Sequence, residues 1–326
     1  MFIYNNFKTL FQTSSLTLMF ALAGNLIMAS EDIADQYPQS VLYQKPVEVI
    51  PGVFSAIGAT APPTYENSGH NNNLSFIVTG QGVVVVNAGA ANLLAKALHD
   101  EIKAITDEPV ILVINENGQG HAMLGNGYWA AQGVPILAHV DAAHEFEEFS
   151  YQILERMQRY NRDKSEGSIA QGPTQTFEDR YDLELGAFKI EVLYLGPSHS
   201  PGDVVVWLPN QSLVIAGDIA FHERMLPIFE ETIVYDWLET WDNAFEALGA
   251  TYVIPGHGHP TNMAQVRRYT RDYLLHLRRE VGALLEAGGD LKDAYYVDQS
   301  AYKGLDTYEQ LATRNAGRVY EQMEFE

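Results

Sequence analysis

The stretch Leu195-Gly196-Pro197-Ser198-His199-Ser200-Pro201-Gly202-Asp203, running into Val204-Val205-Val206-Trp207-Leu208, decides how this chain folds. A histidine flanked by Gly, Pro and Ser belongs to a loop, whereas the apolar, β-branched run after it has the length and composition of a buried strand. Other segments pair an apolar run with a polar loop. Leu213–Ala216 leads into Gly217-Asp218, and Tyr252–Ile254 into Pro255-Gly256-His257-Gly258. Upstream, Val110–Ile114 leads into Asn115-Glu116-Asn117-Gly118-Gln119-Gly120-His121-Ala122. Each loop sets Gly beside an imidazole or a carboxylate at a strand end, which suits a site where backbone and side chains crowd one point at a sheet edge.

Working outward, strand patterns occupy Val47–Ile57, Leu74–Val78 and Val83–Val86, punctuated by Gly80 and Gly82. Ala91–Ile105 carries apolar residues at Leu93, Leu94, Ala97, Leu98 and Ile102, a helical period, so that Val110–Ile114 completes a βαβ step. A helix near Leu124–Gln132, a strand at Val134–His139 and an amphipathic helix from Asp141 to about Arg162 follow. Ser165–Thr176, rich in Gly, Ser and Gln, reads as a surface loop or lid. The second half offers strands near Thr176–Leu183, Phe188–Tyr194, Val204–Leu208 and Leu213–Ala216, a helix over Asp236–Leu248 and the short strand Tyr252–Ile254. A long charged helix over Met263–Ala287 and a final helix within Asp306–Glu326 end the chain. No repeat of fixed period is present, which argues against solenoids and propellers.

With 326 residues, 46% of them hydrophobic, the expectation is one large globular domain with appendages. Twenty Lys and Arg against 42 Asp and Glu give a formal charge of −22, which repels nucleic-acid phosphates and anionic lipid surfaces. A small-molecule substrate or ligand is therefore expected, not a nucleic acid; oligomeric state is not legible. There is no cysteine, so any metal must be held by nitrogen and oxygen. Residues 1–30 combine Lys8, no acid before Glu31, and an apolar run from Leu16 to Ala29 too short to span a bilayer. They read as a signal peptide, with an uncleaved anchor as the alternative. Export, most simply to the periplasm, and no membrane span after signal removal are the expectations.

Three of these segments, "LGPSHSPGDVVVWLP", "SLVIAGDIAF" and "YVIPGHG", resemble in this order the later motifs of the metallo-β-lactamase superfamily. The resemblance implies an α/β, four-layer αββα sandwich over residues 31–265, with a C-terminal helical extension over 266–326 packed on it. It also implies a metal-dependent hydrolase whose zinc ligands would include His199, Asp218 and His257. The family's first metal motif, HxHxDH, falls without a gap on Asn117, Gln119, His121 and Ala122, ending at Gly125-Asn126, so all four of its ligands are replaced. A strand-end Asp of the family, in its supporting shell, is Asn87 here. The flanks "ENSGHNNNLSFIVTGQGVVVV" and "RNAGRVYEQMEFE" resemble the exported branch described as quinoprotein-relay metallohydrolases.

Zinc favours imidazole nitrogen and carboxylate oxygen, and a catalytic site needs about three protein ligands. The subsite on Asn117, Gln119 and His199 keeps one good donor and two weak amides. The other subsite fares better, because His121 supplies a nitrogen in place of the family's carboxylate and completes a set with Asp218 and His257. One zinc ion or none is expected. Three readings stay open: one metal activating water toward an ester, thioester or lactam; a catalytically inactive binding protein (pseudo-enzyme) that keeps the cleft; and metal-free acid/base chemistry through His121. Asp203 is expected to support the His199 loop. His222, His259 and His70 are expected at the surface, and His99, His144 and His276 exposed or capping.

Overall fold

Apolar runs such as Val83–Val86 and Val110–Ile114 have no polar face, so strands built from them must be covered on both sides. The computed structural model describes residues 41–326 and shows that covering. The signal-peptide reading of residues 1–30 lies outside the described residues.

The first half runs β1 (Val47–Ile50), β2 (Val53–Ala56), β3 (Leu74–Val78), β4 (Val83–Val86), α1 (Asn92–Ile105), β5 (Val110–Ile114), α2 (Gly120–Met123), α3 (Asn126–Ala131), β6 (Ile136–His139), α4 (Val140–Asn161) and β7 (Gln175–Phe177). These strands form one seven-stranded sheet in sequence order, antiparallel from β1 to β4 and parallel from β4 to β7. The second half runs β8 (Arg180–Leu185), β9 (Phe188–Tyr194), β10 (Val204–Leu208), β11 (Leu213–Phe221), α5 (Val234–Thr240), β12 (Tyr252–His257), α6 (Met263–Tyr269), α7 (Arg271–Glu286), α8 (Leu291–Ala294) and α9 (Tyr308–Met323). Its five strands lie in the order β12-β11-β10-β9-β8, with β11 and β12 parallel.

Strand periodicity sorts the valines between layers. Val84 and Val86 point inward and pack with Leu112, Ile114, Ile190, Val204 and Ile254 between the two sheets. Their neighbours Val83 and Val85 point outward against Leu94, Leu98 and Trp129 of α1 and α3. On the far side, Val205, Val214 and Val253 share one core with Trp237 of α5, Tyr273 and Leu277 of α7, and Ala316 and Val319 of α9. Helix, sheet, sheet and helix make the four layers expected from the sequence.

Several local expectations need correction. The strand read over Thr176–Leu183 is two strands in different sheets, because the chain crosses between layers at Glu178-Asp179. The helix over Met263–Ala287 breaks at Thr270, whose hydroxyl accepts from Phe221 N–H, an anchor to β11 that turns the backbone off the helical path. The helix near Leu124–Gln132 starts only at Asn126, since Leu124 and Gly125 close the preceding short helix against the backbone of Gly89. His70 is not at the surface but fully buried, bonded to Tyr43 N–H and the Ala56 carbonyl. Among the described residues, no helix is long and apolar enough to cross a membrane.

Candidate metal centre

The ends of β5, β11 and β12 and the loop between β9 and β10 meet at one point beneath a cleft. Asp218 reaches it from within β11, where the register with β12 slips on both sides of Gly217. Such a slip re-aims a side chain. Gly217 takes φ 57°, and a Cβ there would collide with the Glu116 carboxylate. A Cβ on Gly256 would collide with Asp218 Oδ1, so the two glycines let the carboxylates press against backbone.

Around Asp218, His121 Nε2 lies 3.5 Å from Oδ2, His199 Nδ1 3.7 Å from Oδ2, and His257 Nε2 3.2 Å from Oδ1. His121 Nε2 is also 3.2 Å from Glu116 Oε1, and the His121 and His257 rings are 5.7 Å apart. Glu116, His121 and Asp218 each offer a ligand atom within 4.8 Å of the others. Asn87, in a left-handed conformation at φ 71°, accepts the Glu116 backbone N–H and thereby sets the loop that carries this glutamate. Asn73 ties down the opposite side, donating to the carbonyls of Pro255 and Gly258 and accepting Gly58 N–H. His257 Nδ1 bonds to the Asn71 carbonyl, the backing that commonly fixes the tautomer of a ligating histidine and leaves Nε2 free.

Burial and charge compete here. Burial pushes His199 and His257 down to about 4 against the pull of Asp218, so both rings are neutral at pH 7 with lone pairs available. Burial also disfavours protonated His121, but Asp218 and Glu116 outweigh it and raise its pKa. Glu116 is raised by burial, partly offset by its hydrogen bond to His121. Burial opposes ionisation of Asp218 as well, yet His257 and His121 hold it below the ordinary carboxylate range.

The donor set fits one divalent cation. Glu116 and Asp218 are both buried and share the His121 ring between them, whereas burial pushes Asp203 up to about 8 and the Ser198 and Ser200 donors satisfy it. Asp218 Oδ1 has no hydrogen-bond donor although it is fully enclosed. Unpaired buried charge is costly, and a cation between these oxygens and the imidazole nitrogens would offset that cost. A second cation fits poorly. Gln119 Nε2 donates to His199 Nδ1 at 3.2 Å and Asn117 Nδ2 to Asp218 Oδ2 at 3.4 Å, which puts amide protons on the atoms it would need.

The family model of the metallo-β-lactamase superfamily matches residues 121–257, the span that contains these histidines and Asp218. A type 2 metallo-β-lactamase of Bacteroides fragilis is 24% identical over 236 residues, covering 68% of this chain and 86% of that protein. The type 2 enzyme of Elizabethkingia meningoseptica is 22% identical, covering 60% and 72%. A solved metallo-β-lactamase from Pontibacter korlensis superposes with a TM-score of 0.58 at 19% identity, covering 71% of this chain and 98% of that one. Residues 121–257 thus match the metallo-β-lactamase superfamily, and the fold is the one seen in its solved members.

Within that superfamily fold, the four ligand positions singled out from sequence, His121, His199, Asp218 and His257, converge on one cleft floor. The replaced positions have taken structural work. Asn117 and Gln119 hydrogen-bond to Asp218 and His199 as above. Ala122 packs its methyl among Met123, Phe146 and Met157, and its carbonyl accepts from Ala88 N–H and Asn115 Nδ2. Asp203 braces the His199 loop by accepting from Ser198 Oγ, Ser200 Oγ and Ser200 N–H. His222 points to the His259 carbonyl outside the cleft.

Sequence reasoning missed Glu116, Asn73 and Arg224. The available signal for Glu116 was an acid two residues past the end of a fully apolar strand. The lid reading of Ser165–Thr176 is corrected: that segment is bonded to α1 and α3 through Ser168, Gly167 and Gln171 and does not line the cleft. The walls come instead from Pro62 and Pro63, from Ile153, Arg156 and Tyr160 on one face of α4, and from Gln310, Leu311 and Arg314 of α9. The C-terminal helix thus helps to form the cleft.

Proposed function

We propose that the cleft is a one-cation hydrolytic centre, with zinc the expected ion, acting on a small molecule that carries an ester, thioester or lactam. The carrying observation is the convergence of Glu116, His121 and Asp218 within 4.8 Å around an Asp218 oxygen that lacks any donor. His121, Asp218 and His257 would hold the ion, and Glu116 stands beside His121 as a further donor. When bound, a divalent cation supplies Lewis-acid polarisation of the scissile group and activation of water. The chain's own residues fix the geometry: Asn71 and Asn73 hold the His257 strand end, and Asn87 holds Glu116. Glu116 Oε1, 3.2 Å from His121 Nε2, orients that ring toward Asp218.

Elemental analysis of the purified protein tests this reading. One zinc per chain is expected, abolished in His121→Ala and retained in Asn117→Ala and Gln119→Ala. Two tightly held ions would overturn it. No ion even after zinc is supplied would favour the second reading, a catalytically inactive binding protein, which the amide bonds of Gln119 and Asn117 to former ligand partners support. Export to the periplasm remains part of the proposal; N-terminal sequencing of a periplasmic fraction that found Met1 intact would refute signal cleavage.

A further inference from the structure

The chain as a whole carries about two acids for every base, 42 against 20, yet the wall of the cleft reverses that ratio. Its lining holds Arg156, Arg224 and Arg314 and a single carboxylate, Asp218. Among the described residues neither Arg156 nor Arg314 is paired with a carboxylate; Arg314 lies over the Phe229 ring, 5.9 Å from its centroid. Arg224 is 6% exposed, and its Nε has no partner even though Nη1 reaches His257. A buried guanidinium N–H left unpaired on the wall of a cavity is a donor waiting for an acceptor. Leu124, Ile153, Tyr160, Phe229 and Leu311 give the cavity of about 340 Å³ an apolar and aromatic stretch of wall, beside the polar Asn71, Gln119, Thr307 and Gln310.

We propose that the cleft selects a small molecule with an apolar body and an anionic head, carboxylate or phosphate, gripped by guanidinium groups from α4, the segment after β11 and α9. Guanidinium forks match the paired oxygens of either head, and burial strengthens such a contact at Arg224 relative to water. The surrounding acidity then acts as a filter, repelling polyanions while the arginines capture a compact anion. This refines the hydrolytic reading by naming the substrate class, although the grip itself does not require the cation.

Calorimetric titration of the full chain in EDTA, with phenylacetate, phenyl phosphate and neutral phenylacetamide as probes, tests it. At least one anion should bind about tenfold or more tightly than the amide, and which anion wins assigns the head group. Arg156→Met/Arg314→Met should remove about tenfold of that preference and leave amide binding unchanged. Both positions are exposed, and a thermal melt checks the fold of the variant. Equal affinity for anion and amide, no saturable binding of either anion, or an unchanged preference in the double variant would overturn the proposal. Repeating the titrations with zinc in place of EDTA separates the two readings. Anions that bind only with zinc refute the arginine grip and leave the cation centre standing, whereas anion binding by a protein that never takes up zinc does the reverse.

Discussion

Acidification should loosen this fold through His70, a histidine outside the ligand set. His70 is fully buried, with Nδ1 accepting the Tyr43 N–H at 2.9 Å and Nε2 facing the Ala56 carbonyl at 3.3 Å. Those partners define one neutral tautomer, and a second proton would have to enter at Nδ1, directly against an N–H donor. Burial lowers its pKa to about 4, whereas the unfolded chain keeps a value near the ordinary 6.5. Between those values the unfolded state binds a proton that the folded state refuses. The stability contribution is therefore complete above about pH 6.5 and lost as pH falls toward about 4, amounting to about 2 kcal/mol by about pH 5. Urea unfolding of the wild type and His70→Gln at neutral pH and near pH 5 reads this directly. The variant should start about 1–3 kcal/mol less stable at neutral pH, because the Tyr43 N–H loses its acceptor. It should then lose about 2 kcal/mol less than the wild type on acidification. Other buried histidines titrate in both proteins, so the difference isolates His70. Parallel pH dependence in the two proteins, or a His70 NMR titration midpoint near 6.5, would refute the reasoning.

Three further perturbations address the site and its support. Gly256→Ala should displace Asp218, lowering stability by about 1–3 kcal/mol and abolishing zinc uptake, as measured by denaturation and elemental analysis. Asn73→Ala removes the side chain that joins Gly58 to the Pro255 and Gly258 carbonyls; cation affinity should fall about 10–100-fold in a chelator competition, more than any loss in Asn117→Ala. Trp237 is fully buried, bonded to the Ile219 carbonyl and stacked edge-on at 5.7 Å from His199. Trp237→Ala should cost about 3–5 kcal/mol, and a loss below about 1 kcal/mol in chemical denaturation would contradict its place in the core.

Much of the architecture was legible because its strands are extreme. Val204–Leu208 and Leu213–Ala216 are apolar throughout, so burial on both faces followed from composition and the loop bearing His199 had to emerge at a sheet edge, whereas the strand read as ending at Ala216 runs on through Asp218 to Phe221. Thr176–Leu183 was misread for a physical reason: alternation shows that a segment is extended but not which neighbour it pairs with, and here the partner changes from β6 to β9. The centre divided along similar lines. His121, His199, Asp218 and His257 stand in short segments whose order carries the resemblance, although His121 lies in α2 and Asp218 and His257 within β11 and β12. Glu116 and Arg224 take their roles from contacts across 102 and 33 residues of sequence, with Asp218 and His257 respectively, which no local pattern encodes. The composition of Ser165–Thr176 marked a loop but held no information about the face it covers.

The wall contributed by α9 has a consequence for the order in which the protein folds. Thr60 and Asp306 are bonded to each other, and Met225 N–H donates to the Asp306 carbonyl, so segments near the start, middle and end of the described chain close on one another beside the cleft. Contacts of such long sequence separation form late and slowly. A folding chain can assemble the seven-stranded sheet from its own consecutive strands, but the cleft remains open on one side until α9 has docked. Chains truncated before residue 308 would display the cleft floor without the wall of Gln310, Leu311 and Arg314, so the site is complete only once α9 has docked.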